Sequence, residues 1–125
     1  MEQNISTKRT LVMGASENPD RYSNKAIHRL QVHHIPVVAV GKHTGVVNGV
    51  AIHTDIPQTE QIDTVTLYLN PPNQAAWIQQ LIDLKPRRII FNPGTENPAF
   101  AQLAEQAGIE TENACTLVLL ATGGF

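Results

Sequence analysis

Short apolar runs bounded by glycine or proline recur along the chain, and the stretches between them switch to a helical period. Thr10-Leu11-Val12-Met13 is stopped by Gly14. Val37-Val38-Ala39-Val40 is entered from Pro36, where a strand tolerates proline, and stopped by Gly41. Val65 to Leu69 ends at Asn70-Pro71-Pro72, and Arg87 to Phe91 follows Pro86 and ends at Asn92-Pro93-Gly94. A fifth, weaker run surrounds Ile109 to Glu112. Runs this dense in aliphatic residues, with little polar alternation, predict strands covered on both faces, as in a parallel sheet.

Between the runs, Ala26, Ile27 and Leu30 form an i, i+4 stripe with Arg21, Lys25 and Arg29 on another face. This helix begins at Asn18-Pro19 or at Ser23, two equally good caps. Trp77, Leu81 and Leu84, joined by Ile78 and Ile82, predict a second helix from about Asn73 to Lys85. Phe100, Leu103, Ala104 and Ala107 mark a third, with Asn97 as N-cap, Pro98 at the first helical position and Gly108 as the stop. A short helix is expected through Thr116 to Ala121.

Strand and helix thus alternate, which predicts a three-layer α/β architecture: a Rossmann-like open parallel sheet of about five strands, order 3-2-1-4-5. Gly41 to Thr59 breaks the rhythm with three glycines and three threonines, and reads as an irregular excursion or a hairpin. The length of 125 residues suits one domain, residues 1–125, with residues 1–8 a flexible extension.

Composition narrows the function classes. Nine basic residues against eleven acidic ones give no wide positive field, which argues against a nucleic-acid partner. The single cysteine, Cys115, allows no internal disulfide and points to a reducing compartment. The first eight residues lack the apolar stretch of a secretory signal, and no apolar run exceeds Leu117 to Ala121. The expectation is a cytoplasmic domain that does not enter a membrane.

Open α/β sheets hold ligands beyond the carboxyl ends of their strands, where strand order reverses. Gly14-Ala15-Ser16, Gly41-Lys42, Asn70-Pro71 and Asn92-Pro93-Gly94 would gather there. Small and amide residues let backbone N–H groups approach an anion, and the first segment leads into a helix whose N-terminal dipole favours phosphate. Equally, turn residues belong at strand ends in any such fold. The first loop has one glycine where the dinucleotide fingerprint has three. No carboxylate closes the second strand to accept the ribose hydroxyls of NAD; the chain there reads Val40-Gly41-Lys42. A lysine suits an additional phosphate, which leaves NADP or coenzyme A, unless Lys42 is simply solvated. Arg21, Lys25 and Arg29 either assist or form a solvated helix face.

Catalytic constellations are absent from the sequence. Ser16 does not sit in a G-x-S-x-G elbow. Cys115 reads as a small buried hydrophobe before it reads as a nucleophile. His28, His33, His34, His43 and His53 show no metal-ligand spacing, and Asp20, Asp55, Glu60 and Asp63 show no paired-carboxylate pattern. The chain offers a binding surface without an evident catalytic apparatus.

Leu11 through Ser23, with its Gly14-Ala15-Ser16-Glu17-Asn18-Pro19-Asp20-Arg21-Tyr22-Ser23 loop, resembles the opening of the CoA-binding domain family. That family is the stand-alone relative of the Rossmann-like amino-terminal domain of the succinyl-CoA synthetase alpha subunit. The resemblance continues through Val37 to Lys42, Gly49, Leu69 to Pro72, Ile90 to Asn97 and Ala114 to Val118. It implies binding of coenzyme A or an acyl-CoA at the carboxyl ends of the strands. By position, Gly14, Ala15 and Ser16, with Arg21, Tyr22 and Ser23 behind them, would meet the pyrophosphate side. Gly41 and Lys42 would face the adenosine phosphates, Asn70 and Pro71 would line the adenine or pantetheine path, and Asn92, Pro93 and Gly94 would close the rim. Many members read Asn-Pro before the second-loop lysine where this chain reads Val40-Gly41, which implies a more flexible loop. No histidine matches the phosphorylated one of the synthetase, so ligase activity is not implied. A separate partner chain is in keeping with the resemblance, because the synthetase domain works beside others. The rivals are a small NADP-dependent oxidoreductase or acyl-CoA-using enzyme, and an interaction module that kept the fold and lost its ligand.

Overall fold

Each of the five runs expected to be strands becomes one in the computed structural model, which describes residues 8–58 and 61–125. Met1 to Thr7, most of the expected extension, and Thr59 and Glu60 at the end of the expected excursion lie outside the described residues. The strands are β1 (Thr10–Met13), β2 (Val37–Val40), β3 (Gly45–Val47), β4 (Val50–His53), β5 (Thr64–Leu67), β6 (Arg88–Phe91) and β7 (Glu110–Asn113). They form one sheet in the order β3-β4-β2-β1-β5-β6-β7, parallel except for β3.

The order 3-2-1-4-5 appears within this sheet, with β4 in third place, the Val65 run (β5) in fourth, beside β1, and β6 in fifth. The count reaches seven because the glycine-rich stretch is a hairpin whose two strands both join the sheet. Asn48 and Gly49 both take positive φ (48° and 84°), the geometry of a two-residue turn whose twist matches a hairpin. Parallel neighbours need the chain to return to its starting end, usually through a helix. Here β3 makes that return in the plane of the sheet, and β4 then runs alongside β2. Gln31 and Asn48 exchange two hydrogen bonds (2.7 and 3.1 Å) that fasten the turn to the first helix.

The helices are α1 (Tyr22–Val32), α2 (Pro71–Gln74), α3 (Ile78–Asp83), α4 (Pro98–Gln106) and α5 (Thr116–Thr122), with a 3₁₀ turn at Ala75–Trp77 between α2 and α3. Along β1, Leu11 and Met13 bury against one face with Leu81 and Phe100, while Val12 buries against the other with Ile27, Leu30 and Leu120. Both faces are therefore covered, which is why the runs show no alternation. The second helix begins earlier than its apolar stripe suggests, because Asn70 caps it through the N–H of Asn73 (3.1 Å) and Pro71 follows. Asn97 caps α4 through Phe100 N–H (3.2 Å), as its sequence requires. Neither Asn18 nor Ser23 caps α1: Arg21 holds the N-cap position and no side chain closes that end.

Candidate functional site

A cleft of about 960 Å³ opens at the carboxyl ends of the strands, where strand order reverses between β1 and β5. Its lining includes Gly14, Ala15, Ser16, Arg21, Tyr22, Ser23, Lys42, Asn70, Pro93 and Gly94. Ten of the thirteen residues singled out in the sequence thus converge on one depression. Gly41, Pro71 and Asn92 do not line it.

The reasons differ for these three. Gly41 lies directly beneath the first loop, where a Cβ would collide with the carbonyl oxygen of Ala15. Its N–H donates to His53 O (2.9 Å), so this glycine permits the close approach of the first loop and is tied to β4. Pro71 starts α2. Asn92 is buried and ties three elements together. Its Nδ2 donates to Thr66 Oγ1 and Leu67 O (both 2.8 Å), and its Oδ1 accepts from Thr116 N–H (2.9 Å).

The first loop is shaped by short-range bonds. Gly14, at φ 96°, passes so close to the backbone of Tyr68 that a Cβ would stand 3.1 Å from it. The N–H groups of Gly14 and Ala15 both donate to Val40 O (2.9 Å each), so these two amides serve the sheet. Ser16 Oγ accepts from Asn18 N–H (3.1 Å), and Asn18 Oδ1 accepts from Asp20 N–H (2.9 Å). Buried Asn24 donates from α1 to Ser16 O (3.0 Å) and sets the loop over the helix. Among the described residues, no hydrogen bond uses the amides of Ser16, Glu17, Tyr22 or Ser23. These four residues line the cleft at the positive end of an eleven-residue helix, beside Arg21, Lys42 and the carboxylate of Asp20. The arrangement suits an anion.

On the far wall, buried Gln74 donates to Leu69 O and Thr95 O (2.8 Å each) and accepts from Asn97 Nδ2 (2.9 Å). This strut holds the loop carrying Pro93 and Gly94 against α2. The Gly94 N–H is taken by Glu96 (2.9 Å). Glu17, His43, Thr44, Tyr68, Asn73 and Thr95 also line the cleft and were not singled out in the sequence. Glu17, His43 and Thr95 adjoin residues that were, and adjacency was the only signal those three carried. Burial pushes the Tyr68 phenol up to about 12. Its buried hydroxyl finds no hydrogen-bond partner among the described residues, although Thr66 and Thr116, bonded to each other (2.8 Å), lie nearby.

Of the other residues weighed in the sequence, Lys25 and Arg29 are exposed on α1 and do not line the cleft, and Cys115 is half-buried at the start of α5. Among the described residues no three His, Cys, Asp or Glu side chains converge as a metal would require, and no helix is long and apolar enough to cross a membrane.

Fold and cleft together define a Rossmann-like domain with a cleft at the topological switch point. The chain belongs to the CoA binding domain family, whose model matches residues 8–121. A solved structure described as an uncharacterized protein is 42% identical, superposes with a TM-score of 0.92, and pairs 96% of this chain with 99% of its own. A hypothetical protein from Pyrococcus horikoshii OT3 is 24% identical (TM-score 0.82; 89% of this chain, 80% of that one). A Thermus thermophilus structure, cell-free ID.343, is 20% identical (TM-score 0.84; 94% and 90%). These last two show the fold alone. No curated protein matches the chain.

Proposed function

We propose that the cleft binds coenzyme A or an acyl-CoA, with no catalytic step of its own. The observation that carries this reading is the pairing of an open α1 N-terminus with Lys42 across a single cleft. Its volume of about 960 Å³ lies at the upper end of the roughly 300–1,000 Å³ usual for ligand sites, room enough for a long cofactor. In this reading the amides of Ser16, Glu17, Tyr22 and Ser23 take the pyrophosphate, with Arg21 alongside. Gly14 and Ala15 serve by close approach, since their amides are engaged elsewhere. Lys42 meets the phosphate on the adenosine ribose, Asn70 lies along the adenine or pantetheine path, and Pro93 and Gly94 form the rim. Gly41, Pro71 and Asn92 act from behind the surface. Family membership supports the choice of cofactor.

Thermal melts against CoA, acetyl-CoA, NADP, NAD and ATP test the reading. A ligand at a hundred times its dissociation constant adds about 2.7 kcal/mol, several degrees for a domain of this size. A shift with CoA or acetyl-CoA and none with NAD is expected. A shift with NADP alone would favour an oxidoreductase, and five flat melts would leave an interaction module.

A further inference from the structure

Glu17 is out of place in a cleft that receives phosphates, because a carboxylate there opposes the ligand. Its side chain is nevertheless committed to a specific contact: Oε2 accepts the backbone N–H of Val46 (2.9 Å). Val46 lies mid-way along β3, the edge strand, opposite Ala51 of β4, and the closing pair of the hairpin is Val47 with Val50. In an antiparallel ladder alternate N–H groups point outward, and that of Val46 is an outward one. Residue 45 is a glycine, and a Cβ there would stand only 2.8 Å from Cγ of Glu17.

Between these points runs the strap Lys42-His43-Thr44, which crosses from β2 to β3 over the end of β4. One end is held by Gly41 N–H on His53 O (2.9 Å), and the other by Glu17 on Val46 (2.9 Å). Three residues reach at most about 10 Å, so fixing both ends leaves the strap few conformations.

We propose that Glu17 is a positioning residue: by holding the β3 edge it sets where Lys42 stands against the ligand, and so sets the preference for a ribose-phosphorylated cofactor. The proposal rests on the reading that Lys42 meets that phosphate. It also accounts for Gly45, the residue that leaves room for the Glu17 side chain.

Three variants separate latch from charge. Glu17→Ala removes both, and Glu17→Gln keeps an acceptor oxygen but no charge. Gly45→Ala keeps Glu17 but thrusts a Cβ into its side chain, at a position outside the left-handed region. In the ligand-free protein, amide exchange at Val46 should rise about tenfold in Glu17→Ala and Gly45→Ala, the effect of one lost hydrogen bond, and stay at the wild-type rate in Glu17→Gln. CoA affinity should fall about five- to tenfold in the first two, and their preference for CoA over 3′-dephospho-CoA should shrink. Lys42→Ala should then cost less on the Glu17→Ala background than on wild type.

Unchanged exchange at Val46, or additive losses in the double variant, would overturn the proposal. So would equal tightening by Glu17→Ala and Glu17→Gln, which would leave Glu17 only a repulsive charge. Exchange needs no ligand: a wild-type protein that bound neither cofactor would sink the nucleotide reading, while Val46 would still decide whether Glu17 holds the edge.

Discussion

Asn92 and Lys42 both lie just past the carboxyl ends of strands, β6 and β2, of the same sheet, yet they do opposite kinds of work. Asn92 is an interior knot whose amide satisfies two acceptors and a backbone N–H. Asn92→Ala would leave Thr116 N–H and Leu67 O unpaired in the interior, at a cost of at least about 2 kcal/mol, read in denaturant melts. Lys42 is exposed and, among the described residues, has no hydrogen bond or ion pair to lose. Lys42→Ala should leave the melting temperature in place and weaken CoA about three- to tenfold by calorimetry, with little change for CoA lacking the ribose phosphate. Equal losses for both ligands would remove Lys42 from that role. In the sequence both sit in a glycine-containing turn segment after an apolar run; only burial tells them apart. Gly41 carries the same ambiguity, because a glycine that loosens a loop and a glycine that admits a neighbouring carbonyl are written with the same letter.

At the scale of elements, the sequence was most legible where local chemistry decides. Asn97-Pro98 and Gly108 bracket α4 as expected, and the four strongest apolar runs are buried strands. It was least legible where long-range pairing decides. The Asn48-Gly49 turn was the available signal for β3 and β4, but nothing local says that β4 slides in beside β2 and takes third place. The bare N-terminus of α1 was hidden for the opposite reason: two good capping residues lie nearby and neither is used. At the other end of the sheet, β5 and β6 are clamped where they begin. Arg87 grips Asp63 through two hydrogen bonds of 3.1 Å. Burial by itself would raise the Asp63 carboxyl, but the bonds from Arg87 and Thr64 and the charges of Arg87 and Arg88 bring it below its ordinary value. A lowered folded-state value adds stability above the unfolded carboxylate range, near pH 4, and this is lost as pH falls through the folded value. Wild type should therefore melt above Asp63→Asn at neutral pH, and the gap should close in acid. The gap is modest, since the Arg87 side chain is 47% exposed. A gap that persisted unchanged to pH 2 would show that charge is not its source.

On the scale of the whole molecule, the sheet separates its two ends. The amino ends carry structural ion pairs and the Arg88 guanidinium, buried against the Phe125 ring 4.5 Å away and bonded to its backbone oxygen (2.9 Å). The carboxyl ends carry the cleft, the bare helix end and Lys42. The central claim is that the cofactor sits at the second end. Titrating uniformly ¹⁵N-labelled protein with CoA tests it most directly. Amide shifts should concentrate at Ser16, Glu17, Tyr22, Ser23, Lys42 and Gly94, and leave Thr10, Arg88 and Phe125 where they were. Shifts gathered around Arg88 and Phe125, or none at saturating CoA, would contradict it.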